Sequence, residues 1–255
     1  MIRAAVTRQA ALFAAFALSL SCLAITGWAQ EPSRGPAASP VDPDRMRPIT
    51  PIKETTLFNG RDLTGFYTFV PESGRDNDPK KIFTVEDGAV HVSGENFGYF
   101  ATVAPYANYR VRFEVKWGQK KWPPREKAVR DAGVLVHVVG PDKVWPKSFE
   151  CQVQENDFGD IFHIDGISSV VNGKRENGRV VRTKSWEKPV GEWNTVEVVV
   201  SGDAVTNIVN GHIVNVATQI TRGQNGTGGK LNFGRIAFQS EGAEIWYRNI
   251  VVLPL

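Results

Sequence analysis

Residues 148–164, SFECQVQENDFGDIFHI, hold the side chains best suited to chemistry. Phe149, Cys151 and Val153 alternate with Glu150, Gln152 and Gln154, the pattern of a strand with one face on a core and a carboxylate flanked by amides on the other. Burial of a carboxyl on a rigid strand raises its pKa toward neutral and suits it to proton transfer. Glu155 follows at a spacing where one bulged residue would turn both carboxyls to the same face. Two carboxyls roughly 5 Å apart would serve a retaining glycosidase. A strand with a merely solvated face shows the same alternation, though such faces more commonly carry Lys, Thr or Ser. Beyond the bend at Asn156 and Asp157, Asp160, Phe162 and Ile164 fall on one side, with Ile161, His163 and Asp165 on the other. Neither side is plainly the apolar one, which suggests a strand partly covered on both.

Further ionisable groups lie on neighbouring extended segments. In 109–117, Tyr109, Val111, Phe113, Val115 and Trp117 share a face, leaving Glu114 and Lys116 on the opposite one, and 133–138 carries His137 among valines. The expectation is one concave surface displaying Glu114, Lys116, His137, Glu150 and Gln152 together. His137 reads equally well as a core histidine satisfied by a backbone carbonyl, and Glu114 with Lys116 as a cross-strand ion pair. Trp145, beside Pro146, and Tyr99 offer flat rings suited to the C–H face of a sugar, whereas Trp117, Trp193 and Trp246 read as core. Asp157 and Asp160 offer oxygens for a Ca²⁺, although turn chemistry explains them equally well; no cofactor is otherwise called for.

Those side chains need a rigid support, and the chain is patterned to supply one. Arg3 and Arg8 precede an apolar run over 10–25, and Gly27 and Ala29 then sit two apart, so residues 1–29 read as a secretory signal peptide. Cys22 is a weaker candidate for a lipid anchor, because Ser19 and not the expected Leu stands three residues ahead of it. The expected location is therefore periplasmic or extracellular, and no other run approaches the roughly 20 apolar residues of a membrane span. Residues 30–53, rich in Pro, Ala, Ser and charge, read as a flexible linker, and 54–255 as a single domain. Removal of the leader would leave Cys151 as the one cysteine, so an apolar core and not a disulfide must hold the domain. The formal charge of +3, or +1 without Arg3 and Arg8, gives no footprint for nucleic acid, and no feature specifies an oligomeric state. Hairpin turns at Asp87-Gly88 and Asn210-Gly211, repeated alternation and an almost complete lack of helical periodicity specify an all-β, antiparallel jelly-roll sandwich.

The spacing Glu150, Gln152, Glu155 resembles the E-x-D-x-x-E strand of laminarinase-type glucanases, with Gln at the central position. The longer segments LFNGRDLTGF, NFGYFATVAPYANYRVRFEVKWG, DAGVLVHVVGPDKVWPKSFECQVQENDFGDI and GRIAFQSEGAEIWYRNIVVLPL resemble the 3-keto-disaccharide hydrolase domain family across nearly all of 55–255. That resemblance implies a concanavalin A-like lectin/glucanase sandwich and a carbohydrate substrate whose ring carries a ketone at C3. Cleavage would remove the acidified C2 proton, expel the C1 substituent and add water. It requires a base near C2, for which Glu150 is the first choice, and a cation or hydrogen-bond donor at the C3 oxygen, for which His137 and Lys116 are candidates. Glu114, Gln152, Glu155, Trp145 and Tyr99 are the expected substrate contacts. Two other classes stay open: a noncatalytic lectin-like module, and a retaining glucanase using Glu150 and Glu155.

Overall fold

The computed structural model describes residues 46–255. The leader, Cys22 and most of the linker lie outside the described residues. Seventeen strands follow in chain order: β1 Thr55–Thr56, β2 Phe66–Val70, β3 Gly74–Arg75, β4 Phe83–Glu86, β5 Ala89–Val92, β6 Gly98–Thr102, β7 Tyr109–Lys121, β8 Gly133–Val139, β9 Lys147–Gln152, β10 Ile161–Ile164, β11 Ser168–Val171, β12 Lys174–Glu176, β13 Asn194–Ser201, β14 Ala204–Val209, β15 His212–Thr221, β16 Arg235–Ser240 and β17 Ala243–Leu253. They form two antiparallel sheets. One runs β12-β11-β15-β14-β13-β7-β17-β5-β4, with β1 added to β17; the other runs β10-β9-β8-β16-β6-β2-β3.

The core lies between the sheets. The apolar face of β7 is buried along its length, and from the seven-stranded sheet Phe100, Phe149, Cys151, Ile236 and Phe238 meet it. Phe100 stacks on Phe238 at 4.9 Å, and Phe113 and Tyr247 each present an edge to Phe238 at 5.3 Å. These aromatic contacts join the sheets at the middle of the sandwich and add to the burial of large apolar surface. The hairpins close through left-handed residue pairs, Asp87 with Gly88 and Asn210 with Gly211, whose positive φ suits the twist of the strands they join.

The all-β jelly-roll architecture matches the reading of the sequence. The linker needs correcting at its end: Ile49 pairs with Tyr106, with Ile49 N donating to Pro105 O at 2.9 Å, and Pro51 is buried. Backbone pairing therefore starts before Thr55. No helix among the described residues is long and apolar enough to cross a membrane.

Candidate active site

The outer face of the seven-stranded sheet is built from residues that alternate with the core. Glu150 on β9 lies opposite Leu135 on β8, Gln152 lies opposite Gly133, and Gln239 on β16 lies opposite Tyr99 on β6. Gly133 leaves the space that this arrangement needs. A Cβ there would overlap Glu150 Oε1 and Gln239 Oε1, so the two side chains meet above a bare stretch of backbone. Glu241 stands just past β16. Its Oε1 accepts hydrogen bonds from Trp145 Nε1 and Gln239 Nε2, both at 2.8 Å, and its Oε2 is 3.8 Å from Arg125 Nη1. Arg125, carried by the loop after β7, also pairs with Asp131 at the entry to β8.

Two buried carboxyls, Asp131 and Glu241, thus share one guanidinium, and a third, Glu150, lies near them without it. Glu150 is 5% exposed, Glu241 6% and Asp131 7%. Burial raises Glu150 well above the carboxylate range, and the charges of Glu241 and Asp131 raise it further. Glu241 is lifted to about 7 by burial and then by Asp131, against the Trp145 hydrogen bond and Arg125, which favour its anion. Asp131 is raised by burial and held back by Arg125. Glu150, which accepts no donor among the described residues, is pushed toward its neutral form, while Glu241, held by donors, is poised to lose its proton near pH 7. Gln239 Oε1 is buried without a donor among the described residues, and Glu150 Oε1 faces the same space over Gly133. A neutral acid next to a carboxylate that titrates near neutrality can give one proton and take another.

Only part of the expected set gathers here. Glu150 and Gln152 do share this face, Gln152 turning its Oε1 back to Val153 N at 3.1 Å. Glu114 and Lys116 do not, because β7 pairs with β13 and β17 in the other sheet, so its polar side is that sheet's outer surface. Glu114 there accepts from Arg248 Nε at 2.6 Å, and Lys116 lies between the rings of Trp193 and Trp246 at 4.9 and 5.0 Å. Those two tryptophans are accordingly surface residues, while Trp117 is core. His137 sits at a bulge in β8 with φ 57°, fully buried, neither ring nitrogen having a partner among the described residues. Burial and Arg222 push it down to about 3, so it is neutral and supplies no cation.

Glu155 also departs from expectation. The strand ends at Gln152, and Glu155 lies in the following turn, bound to Arg130 Nη1 at 2.9 Å, so the bulged pair of carboxyls does not form. The Asp157 and Asp160 oxygens are taken up by Arg179 and Arg182, with Arg182 Nη1 at 3.1 and 3.0 Å. Two guanidinium groups therefore stand where a Ca²⁺ was considered. Trp145 lies at the rim, half exposed, whereas Tyr99 is buried and donates to Asp142 Oδ1 at 2.8 Å. Arg125, Asp131, Gln239 and Glu241 were missed. The alternation of Gln239 with Glu241 at the end of β16 was the available signal.

A cavity of about 500 Å³ opens on the opposite sheet beside Glu54, Arg112 and Glu114. Its carboxylates have cationic partners, Glu114 with Arg248 and Glu54 with Arg112, so neither is free for proton transfer.

Among solved structures, two proteins of Parabacteroides distasonis described as candidate glycosyl hydrolases resemble this chain. One is 23% identical with a TM-score of 0.54, covering 80% of this chain and 94% of its own. The other is 18% identical with a TM-score of 0.53, covering 80% and 100%. A structure reported with endo-acting O-glycanases of the human gut microbiota that initiate mucin breakdown is 15% identical, with a TM-score of 0.51 and coverage of 80% and 99%. At these identities the likeness is one of fold. No curated protein matches the sequence. Residues 53–253 match the profile of the 3-keto-alpha-glucoside-1,2-lyase-like domain, and the chain belongs to that family.

Proposed function

We propose that this protein cleaves glycosides whose sugar ring bears a ketone at C3. The observation that carries the reading is the buried pair of Glu150 and Glu241, one pushed toward its neutral form and one titrating near 7, below the exposed ring of Trp145. Glu241 removes the C2 proton. The neutral Glu150 donates a hydrogen bond to the C3 oxygen as it becomes an enolate, a task that suits an acid kept protonated by burial. The electron pair then expels the C1 substituent, which leaves as an alcohol with the proton that Glu241 took. Water adds across C1 and C2, restoring the C2 hydrogen and completing a net hydrolysis. Glu150 thereby exchanges the base role first given to it for that of the donor. Arg125 fits beside the pair as a fixed positive charge, the part once assigned to His137 and Lys116.

A lectin-like module would gain nothing from a buried, unpaired Glu150 beside the Asp131, Glu241 and Arg125 cluster, since an unpaired buried acid only costs stability. Incubation with matched 3-keto and ordinary glycosides tests the reading: sugar release from the keto substrate alone is expected, and equal release from both, or from neither, contradicts it. Export belongs to the same proposal and rests on residues 1–29. N-terminal sequencing of exported protein should begin after Ala29; an intact Met1 would refute export with cleavage there.

A further inference from the structure

The connection from β8 to β9, residues 140–146, folds across the outer face of its own sheet. Asp142 Oδ1 accepts hydrogen bonds from the hydroxyls of Tyr67 and Tyr99, each at 2.8 Å. Tyr67 stands on β2, three strands and roughly 14 Å from β8 at the usual strand spacing, and the loop and the tyrosine side chain together span that distance. Arg75 and Arg235 flank the same carboxylate at 3.5 and 3.6 Å. Arg235, almost wholly buried, also donates from Nη2 to the carbonyl of Gly140 at 3.1 Å. At its other end the loop is held by Trp145, through the bond to Glu241. Beneath it Tyr99, Ala101, Leu135 and Ala237 have no exposed surface, although they belong to the face on which Glu150 stands. Two hydroxyls and two guanidinium groups around one carboxylate make a charge-assisted clasp, which fixes the loop in place.

We infer that loop 140–146 is a fixed strap that determines which glycosides the site accepts. It closes the Tyr67 side of the sheet face, so a terminal sugar ring reaches Glu150 and Glu241 while the remainder of the glycoside departs past Trp145 and Arg125. A ring with sugars on both sides has no path across the face. The inference rests on the carbohydrate reading above and adds the reason why substrates must be chain ends or short glycosides.

The test compares a disaccharide with a hexasaccharide of the same linkage, by calorimetric binding and by turnover of versions bearing the ketone on a terminal or an internal ring. Wild type is expected to bind both lengths alike and to cleave only at a terminal keto ring. The double variant Tyr67→Phe/Tyr99→Phe removes the hydroxyl clasp, and Asp142→Asn removes its charge. In whichever of them keeps the wild-type circular dichroism, the hexasaccharide should bind about tenfold more tightly than the disaccharide, and internal keto rings should become substrates. The strap is overturned if wild type binds the hexasaccharide about tenfold better, binds neither length, or cleaves at internal rings. It is equally overturned if a correctly folded variant keeps the wild-type length profile. Equal binding of both lengths by wild type, length-dependent binding by the variants and no cleavage of any keto-glycoside would refute the proposed reaction and leave the strap standing.

Discussion

Glu150 and Glu241 differ in what donates to them, and the roles proposed for them rest on that difference. Glu241→Gln keeps shape and removes the base, and Glu150→Leu removes the donor at the C3 oxygen, so each change should lower kcat by about 10²-fold or more. Glu155→Gln should cost far less, because that carboxylate is paired with Arg130 in a turn. The acid limb of the pH profile should fall near the Glu241 value of about 7 and vanish in Glu241→Gln. The same shift bears on stability. Glu241 is raised from 4.5 to about 7, so its contribution is full below the unfolded value and is lost as pH rises through about 7. At about 1.4 kcal/mol per pKa unit the loss reaches roughly 3 kcal/mol. His137 acts in the opposite sense: lowered from 6.5 to about 3, it contributes stability above 6.5 that is lost as pH falls through about 3. Subtracting the pH–stability curve of Glu241→Gln from that of wild type isolates the carboxyl. A difference that does not fall with rising pH would contradict the shift.

At the scale of elements, the pairing of β8, β9 and β16 holds the site, and the absent side chain of Gly133 is as necessary as the carboxyls. Gly133→Ala should displace the Glu150 carboxyl and abolish turnover while circular dichroism stays that of a sandwich; an active variant would show that Glu150 need not lie over this strand. After β9, Asp160 is buried and accepts from Arg179 Nε at 2.8 Å, Arg182 Nη1 at 3.0 Å and Arg182 N at 2.9 Å. Asp160→Asn leaves Arg179 and Arg182 to Asp157 and should cost about 1.5–3 kcal/mol in chemical denaturation; a loss below about 1 kcal/mol would mark the cluster as a solvated pair. The sequence showed the two faces of β7 and β9 through their alternation. It did not show which sheet each strand joins, and that error carried Glu114 and Lys116 to the wrong surface. His137 went astray because a bulge turns it off the alternation. Glu241 was overlooked because it lies one residue beyond β16.

For the molecule as a whole, the fold was legible because its hairpin turns, alternating strands and apolar core agree with one another. The site was less so, since Asp131, Glu150 and Glu241 come from three distant stretches that only the sheet order brings together. Arg125 reaches Asp131 and Glu241 from a charged loop whose sequence equally suits a solvated insertion. The central claim is that this assembly breaks a C2–H bond before it breaks C1–O. The most direct measurement is turnover of a 3-keto-glycoside in D₂O, with the released sugar analysed for deuterium at C2 and corrected for exchange of the free sugar without enzyme. Deuterium at C2 in every turnover is the predicted result; product released with its original C2 hydrogen would contradict the account.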